Sequence, residues 1–220
     1  MSGRAVVRTF GEVLITAGAL LLLFVAYQVW WTNVVANRAV AAQTNRLLNQ
    51  FEHPPPGLGP GPSPVEPGQA FALMYIPALG DHWNRPVVQG VTLADLARGI
   101  GHYPQTAMPG QVGNFAVAGH RATNGEPFAY LDRVGRGDDV IVRTDLSWFV
   151  YRVTDVSIVA PTDVDVIDPV PGRPGAVPNE QLITLTTCSP RWASYARLIV
   201  HGVLVATSPE SAPPAAVGGG

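Results

Sequence analysis

Leu182-Ile183-Thr184-Leu185-Thr186-Thr187-Cys188 is the stretch on which the reading of this chain turns. A period of two places Thr184, Thr186 and Cys188 on one face of an extended segment and Ile183 and Leu185 on the other. Ser189-Pro190 follows, and a proline without an N–H donor ends the pairing. The sequence therefore predicts a β-strand with a thiol at its exit, where another molecule can reach it. Cys188 is the one cysteine in 220 residues, so no intramolecular disulfide is open to it. A leftover cysteine in an exported chain is a packing residue, an intermolecular bridge or a nucleophile, and its place at a strand end favours the nucleophile.

Similar short runs lie upstream and downstream. Phe71–Ile76, Pro86–Val91, Asn114–Ala118, Asp139–Arg143, Trp148–Val153 with Val156–Val159, and Arg197–Ala206 all read as strands. Helical signals are brief. Thr92 caps a short helix over Leu93–Arg98, Glu126–Val134 reads as another, and Thr162–Val166 as a single turn. Pro169–Asn179, with four prolines, is a loop. Evenly spaced short strands with little helix predict an all-β fold, a closed or nearly closed barrel, over residues 69–207.

The N-terminal part has another character. Val13–Trp31 carries no charge, and nineteen helical residues rise about 28 Å, close to the ~30 Å of a hydrocarbon core. Trp30 and Trp31 stand where an interfacial aromatic anchor is expected. The alternative is a cleavable signal peptide, but the apolar run is long for that and no Ala-x-Ala pattern directly follows it. Arg4 and Arg8 precede the span, and Arg38 and Arg46 follow it at greater distance, which predicts a cytoplasmic amino terminus and an extracytoplasmic barrel. The expected layout is residues 1–12 in the cytoplasm, 13–31 across the membrane and 32–52 as a helical continuation. Residues 53–68 form a stalk with seven prolines and four glycines, 69–207 the catalytic domain and 208–220 a disordered tail. In polyproline form that stalk could reach roughly 50 Å. The net charge of −2 gives no broad basic surface, so nucleic acid is not an expected partner.

A thiol nucleophile needs a proton carrier and a cation or donor for a developing oxyanion. His53 lies in the stalk, His82 in a polar turn, and His201 on an apolar strand where a packing role fits. His120 and His102 remain. His120, in Ala118-Gly-His-Arg-Ala122, ends an alternating strand and precedes a loop; His102, in Gly101-His-Tyr-Pro104, is the rival. Arg191 and Arg197 compete for the cationic role. Arg191 lies in the turn after Cys188, and Arg197 opens the last strand, where a hairpin could bring it back beside the thiol.

With these residues together the chain resembles the sortases, membrane-anchored cysteine transpeptidases of Gram-positive cell surfaces. Thr184-Leu-Thr-Thr-Cys188 is similar to their Thr-Leu-x-Thr-Cys signature, Ala118-Gly-His120 to the segment of the catalytic histidine, and Arg197 to the arginine that opens the last strand. Gly101–Pro104, Ala107-Met-Pro-Gly110 and Asn114–Arg121 look most like class E, the actinobacterial type. The resemblance implies an eight-stranded closed barrel. It implies Cys188 as nucleophile, His120 as general acid and base, and Arg197 as oxyanion and substrate holder, acting on an LPxTG-type or, for class E, LAxTG-type signal. The acceptor would be an amine of a peptidoglycan precursor or of a pilin, and the partners would be secreted proteins bearing the signal. Thr187 and Tyr103 are expected substrate contacts, although Tyr103 fits barrel packing equally well. Residues 161–179 are the expected recognition loop.

No cofactor or metal is called for. Asp138-Asp139 and Asp163, Asp165 and Asp168 read as solvated loop charges, and no Asp-Pro-aromatic lid motif precedes the barrel. Two other readings compete. An L,D-transpeptidase would carry Ser-x-Gly-Cys where this chain has Thr-Thr-Cys. A catalytically silent, membrane-tethered binding domain would leave Cys188 a packing residue.

Overall fold

The computed structural model describes residues 3–53 and 65–217. Most of the expected stalk, and the last residues of the expected tail, lie outside them. The described residues form one long helix, α1 (Gly3–Glu52), and eight strands. These are β1 (Ala70–Tyr75), β2 (Asn84–Gln89), β3 (Ile100–His102), β4 (Gly113–Ala118), β5 (Asp139–Arg143), β6 (Ser147–Val159), β7 (Gln181–Ser189) and β8 (Ala196–Pro209). They close into a barrel in the order β1-β2-β3-β4-β7-β8-β6-β5, and β5 pairs with β1 to complete the ring. The β2–β3 and β4–β7 pairs are parallel and the others antiparallel.

Alternation decides what faces inward. Ile183 and Leu185 of β7 and Phe115 and Val117 of β4 are fully buried in the barrel core with Met74, Ile100, Tyr151 and Val200. The complementary positions, Asn114, Ala116 and Ala118 on β4 and Thr184, Thr186 and Cys188 on β7, form the outer wall. Tyr151 is large enough to span the core, and its hydroxyl accepts from the Gly110 N–H at 2.8 Å. Burial pushes that phenol up to about 12, so it stays neutral.

The pairing registers give the barrel two distinct ends. At one end β1, β4, β6 and β7 finish and β2, β5 and β8 begin. This end carries the segments 76–83, 119–138 and 190–195, and we call it the mouth. The hairpin between β5 and β6 lies at the opposite end.

Some local readings change. The short helix α2 (Leu93–Leu96) forms with Thr92 and Asp95 in a reciprocal capping box, shorter than the expected Leu93–Arg98. The expected helix over Glu126–Val134 is a loop ending in a 3₁₀ turn at Leu131–Arg133. Asn124, Gly125 and Glu126 all have positive φ, which no helix can accommodate, and the Phe128 N–H turns back to the His120 carbonyl. The turn at Thr162–Val166 is a 3₁₀ turn at Val164–Ile167. The two runs in 148–159 join into the single strand β6, and β3 is too short to signal itself.

The flanking segments also differ from expectation. Residues 208 and 209 belong to β8, and the tail beyond them packs on the barrel. The Trp148 indole donates to the Glu210 carbonyl at 2.8 Å, Arg143 pairs with Glu210, and Val217 joins Ile141 and Trp148. Helix α1 does not stand clear of the barrel. Leu47 and Phe51 pack with Ala70, Leu73 and Val88, and the Arg143 guanidinium lies 5.0 Å from the Phe51 ring centre. The residues on either side of the Pro/Gly segment therefore share one apolar cluster. Val6–Tyr27, in which Arg8 and Glu12 pair with each other, is long and apolar enough to cross a membrane, and it starts and ends earlier than the expected 13–31.

Candidate active site

The outer wall formed by β4 and β7 ends at the mouth. Ala118 of β4 stands opposite Thr186 of β7 in the parallel ladder, so His120 follows Ala118 as Cys188 follows Thr186. Two hydrogen bonds extend the alignment beyond the strand: the Gly119 N–H donates to the Thr186 carbonyl at 3.1 Å, and the Thr187 hydroxyl donates to the Gly119 carbonyl at 2.8 Å. Gly119 is required on steric grounds, because a Cβ there would come within 2.5 Å of the Phe128 ring. On the other side of Cys188, the antiparallel β7–β8 ladder pairs it directly with Arg197. The three predicted catalytic residues thus come from neighbouring strands of one wall, at one end of it.

Their surroundings differ. Cys188 is partly exposed and disulfide-free. His120 is partly buried, its Nε2 has no hydrogen-bond partner, and desolvation lowers its pKa from the ordinary value. The imidazole is then mainly neutral at pH 7, with an uncommitted nitrogen. Arg197 donates from one terminal nitrogen to the Ser194 and Ala196 carbonyls, both at 2.9 Å, and among the described residues it has no carboxylate partner. A guanidinium that already holds carbonyl oxygens is suited to hold a peptide carbonyl.

The rivals lie elsewhere. His102 is fully buried; Nδ1 is 2.7 Å from Gln89 Oε1, and Nε2 is 3.1 Å from both the Ala107 carbonyl and the Thr106 hydroxyl. Desolvation lowers its pKa to about 4, and both nitrogens are occupied inside the wall. His201 pairs with Thr184 across β7 and β8, with Nδ1 2.9 Å from its hydroxyl. Arg191 is at the mouth but bound to Glu126 at 2.6 Å, with Tyr130 and Trp192 against its guanidinium.

The two expected substrate contacts part company. Thr187 points inward, is almost fully buried and uses its hydroxyl on Gly119, so here it straps the histidine segment to β7. Tyr103 lies on the outer wall, with its hydroxyl 3.3 Å from that of Thr186. Farther along the same wall is a depression of about 560 Å³, lined in part by Thr106, Asn114, Val164, Ile167 and Pro169. Asn114 holds its far rim: its amide donates to the Asp168 and Val166 carbonyls at 3.0 and 3.4 Å and accepts from Thr184 at 2.8 Å. Among the described residues no group of three or more His, Cys, Asp or Glu side chains could hold a metal ion.

One residue of the site was not singled out from the sequence. Arg121 is buried and donates to the Cys188 carbonyl and the Ser189 hydroxyl, both at 3.3 Å, while pairing with Asp132 at 3.1 Å. It ties the segment that carries the histidine to the strand end that carries the cysteine. Its adjacency to His120 was visible, but its inward course was not, because an arginine beside a loop ordinarily points to solvent.

The description "Sortase domain" fits residues 74–205 as a family model. Over 219 residues the chain is 42% identical to sortase SrtE1 of Streptomyces coelicolor, covering 95% of this chain and 60% of that relative. It thus spans about three fifths of the length of that curated relative, and 83% of sortase SrtE2 of the same organism, at 32% identity. Among solved structures, sortase E of Streptomyces avermitilis superposes with a TM-score of 0.63 at 45% identity, covering 70% of this chain and 99% of that one. Sortase E1 of Streptomyces coelicolor, solved with a tripeptide in its active site, gives 0.63 at 39% identity and the same coverage.

Proposed function

Because this chain belongs to the sortase family of transpeptidases, and is similar to its class E members, we propose that it cleaves a sorting signal of the LAxTG or LPxTG type after threonine and transfers the threonyl acyl group to an amine. The observation that carries this reading is the pairing of Cys188 with Arg197 on one side, with the histidine segment strapped to β7 on the other.

The chemistry follows from the three environments. Neutral His120 takes the Cys188 proton as sulfur attacks the threonine carbonyl. The oxyanion of the tetrahedral adduct accepts from Arg197, a permanent cation with a fixed fork of donors. The C–N bond breaks, the imidazolium gives its proton to the leaving amine, and a thioester remains on Cys188. An incoming amine then attacks the thioester, and His120 removes the ammonium proton and returns it to sulfur. No redox partner or metal enters these steps. The residues of the signal ahead of threonine run along the β4–β7 wall, past Tyr103, toward the depression that Val164 and Ile167 help to line.

Val6–Tyr27 serves as the membrane anchor, with the amino terminus inside and the barrel outside. The amine belongs to a peptidoglycan precursor or a pilin, and the donors are secreted proteins that carry the signal. The test is incubation of the chain with LAxTG and LPxTG peptides and an amine, with products and the thioester followed by mass spectrometry. Product formation that survives Cys188→Ala would overturn the reading.

A further inference from the structure

Helix α1 is unbroken from the apolar span to the face of the barrel, and it fixes which end of the barrel looks toward the span. Phe51 packs near the far end, beside Arg143, at the end of β5. Fourteen positions earlier, Asn37 reaches the mouth, where its Oδ1 would lie 3.1 Å from a Cβ at Gly125. Asn37 shares a cavity of about 430 Å³ with Trp83, Tyr130 and Arg191. Toward its N-terminus from that point α1 leaves the barrel and enters the span. The mouth is thus the end nearest the span.

Distance along the helix sets the height. Tyr27 and Trp31 stack at 5.8 Å at the end of the span, where an aromatic pair marks the membrane interface. Asn37 is six residues beyond Trp31 and ten beyond Tyr27, where the span ends, or about 9 and 15 Å of helix rise. The headgroup layer on one side of a bilayer is roughly 5–8 Å deep. Loop side chains that project from the mouth toward the span therefore come within reach of it.

The mouth carries the side chains suited to that layer. Trp192 and Tyr195, in the loop between β7 and β8, are 77% and 74% exposed. Tyr130 is half exposed and is joined to Trp192 through Arg191, which contacts both rings. Exposed Trp and Tyr next to arginine are the usual interfacial set. Of the acidic groups here, Glu126 and Asp132 are paired with Arg191 and Arg121, the Asp138 carboxylate accepts from the Gly135 N–H, and Asp81 is exposed. Arg133 and Arg136 are exposed on the same end. The charges roughly balance, so the aromatic side chains are the distinctive feature.

We infer that Trp192 and Tyr195 rest in the headgroup layer of the bilayer that holds α1, so that the mouth of the barrel opens at the membrane surface. This rests on the anchor assignment made above. Depth-dependent quenching tests it. The full chain is made with Cys188→Ala and a single introduced cysteine carrying an environment-sensitive fluorophore. The cysteine is placed at Ser194 between the two aromatics, at Leu146 on the far end, or at Leu22 within the span. Each protein is reconstituted in phosphatidylcholine and phosphatidylglycerol vesicles that contain headgroup- or chain-spin-labelled lipid.

Headgroup labels should quench position 194 roughly twofold or more above position 146, and adding Trp192→Ala with Tyr195→Ala should remove the excess. Chain labels should quench position 22. Quenching at 194 no greater than at 146, or unchanged without the aromatics, overturns docking. If position 22 is quenched in that case, the anchor stands and only docking falls; an unquenched position 22 overturns both. Leu22, Leu146, Trp192, Ser194 and Tyr195 are exposed, and Cys188, which is partly exposed, loses only its sulfur, so folding is not at risk.

Discussion

Cys188 on β7 and Arg197 on β8 are direct partners in an antiparallel ladder, which sets their Cα atoms about 5 Å apart. The turn between them brings Arg197 back beside Cys188 without help from any other element. Removing it should act on the transition state more than on folding. Arg197→Ala is expected to lower kcat/KM about 10²–10³-fold, the usual loss for one oxyanion donor, with unchanged thermal stability. Arg191→Ala, which breaks a peripheral ion pair, should cost far less. Peptide-transfer kinetics on the two variants check this, and the reverse ranking would reassign the arginine.

Thr187 is a strap whose loss is measurable apart from chemistry. Thr187→Val keeps the shape but leaves the Gly119 carbonyl without its donor, at a cost of about 1–3 kcal/mol. Activity should fall further than stability alone explains, because His120 is the next residue. Thr187→Ser should recover both in parallel denaturation and transfer assays.

Gly119→Ala pushes a methyl into the Phe128 ring. Phe128 is fully buried, so the loop after His120 must shift, at about 1–3 kcal/mol. A melting temperature lowered by several degrees together with severe loss of transfer is expected; a fully active, fully stable variant would contradict the packing described.

Asn114 holds the loop before β7 by two donated bonds and accepts a third from Thr184. Asn114→Ala should free residues 161–179, speed limited proteolysis there, and raise KM for the signal peptide more than it lowers kcat.

His102 predicts a pH effect. Its pKa in the folded chain, about 4, lies below the ordinary 6.5 of an unfolded histidine. The unfolded chain therefore binds the extra proton first, and stability falls as pH drops from 6.5 toward 4, by roughly 3 kcal/mol over the whole window. Urea unfolding at intervals across that range, with the His102 ring followed by NMR, tests the sign and the midpoint. A His102 signal titrating near 6.5 would refute the burial argument.

The barrel was legible because its strands alternate and its turns carry proline and glycine. Period two alone put Cys188 on the face opposite Ile183 and Leu185, and the structure shows those two in the core. The helix expected over Glu126–Val134 failed because local propensity does not register the positive φ run at Asn124–Glu126, which the closure of the loop on His120 imposes. His102 and His120 could not be separated by pattern: each follows a glycine at a strand end, and only tertiary burial decides which ring nitrogens are free. The inward course of Arg121, the strap by Thr187 and the packing of α1 on the barrel are long-range contacts that no window of sequence contains. The same holds for the C-terminal tail, whose composition reads as disordered until Trp148 and Arg143 are seen to receive it.

An unbroken α-helix is also a screw. Each residue inserted or deleted between Trp31 and Asn37 would turn everything beyond it by about 100° and shift it about 1.5 Å along the axis. A single-residue change in that stretch would thus swing the catalytic groove to another compass bearing while hardly altering its altitude; an insertion of four residues would leave the aim about 40° off and one of seven about 20° off. For this molecule, linker length sets azimuth first and clearance second.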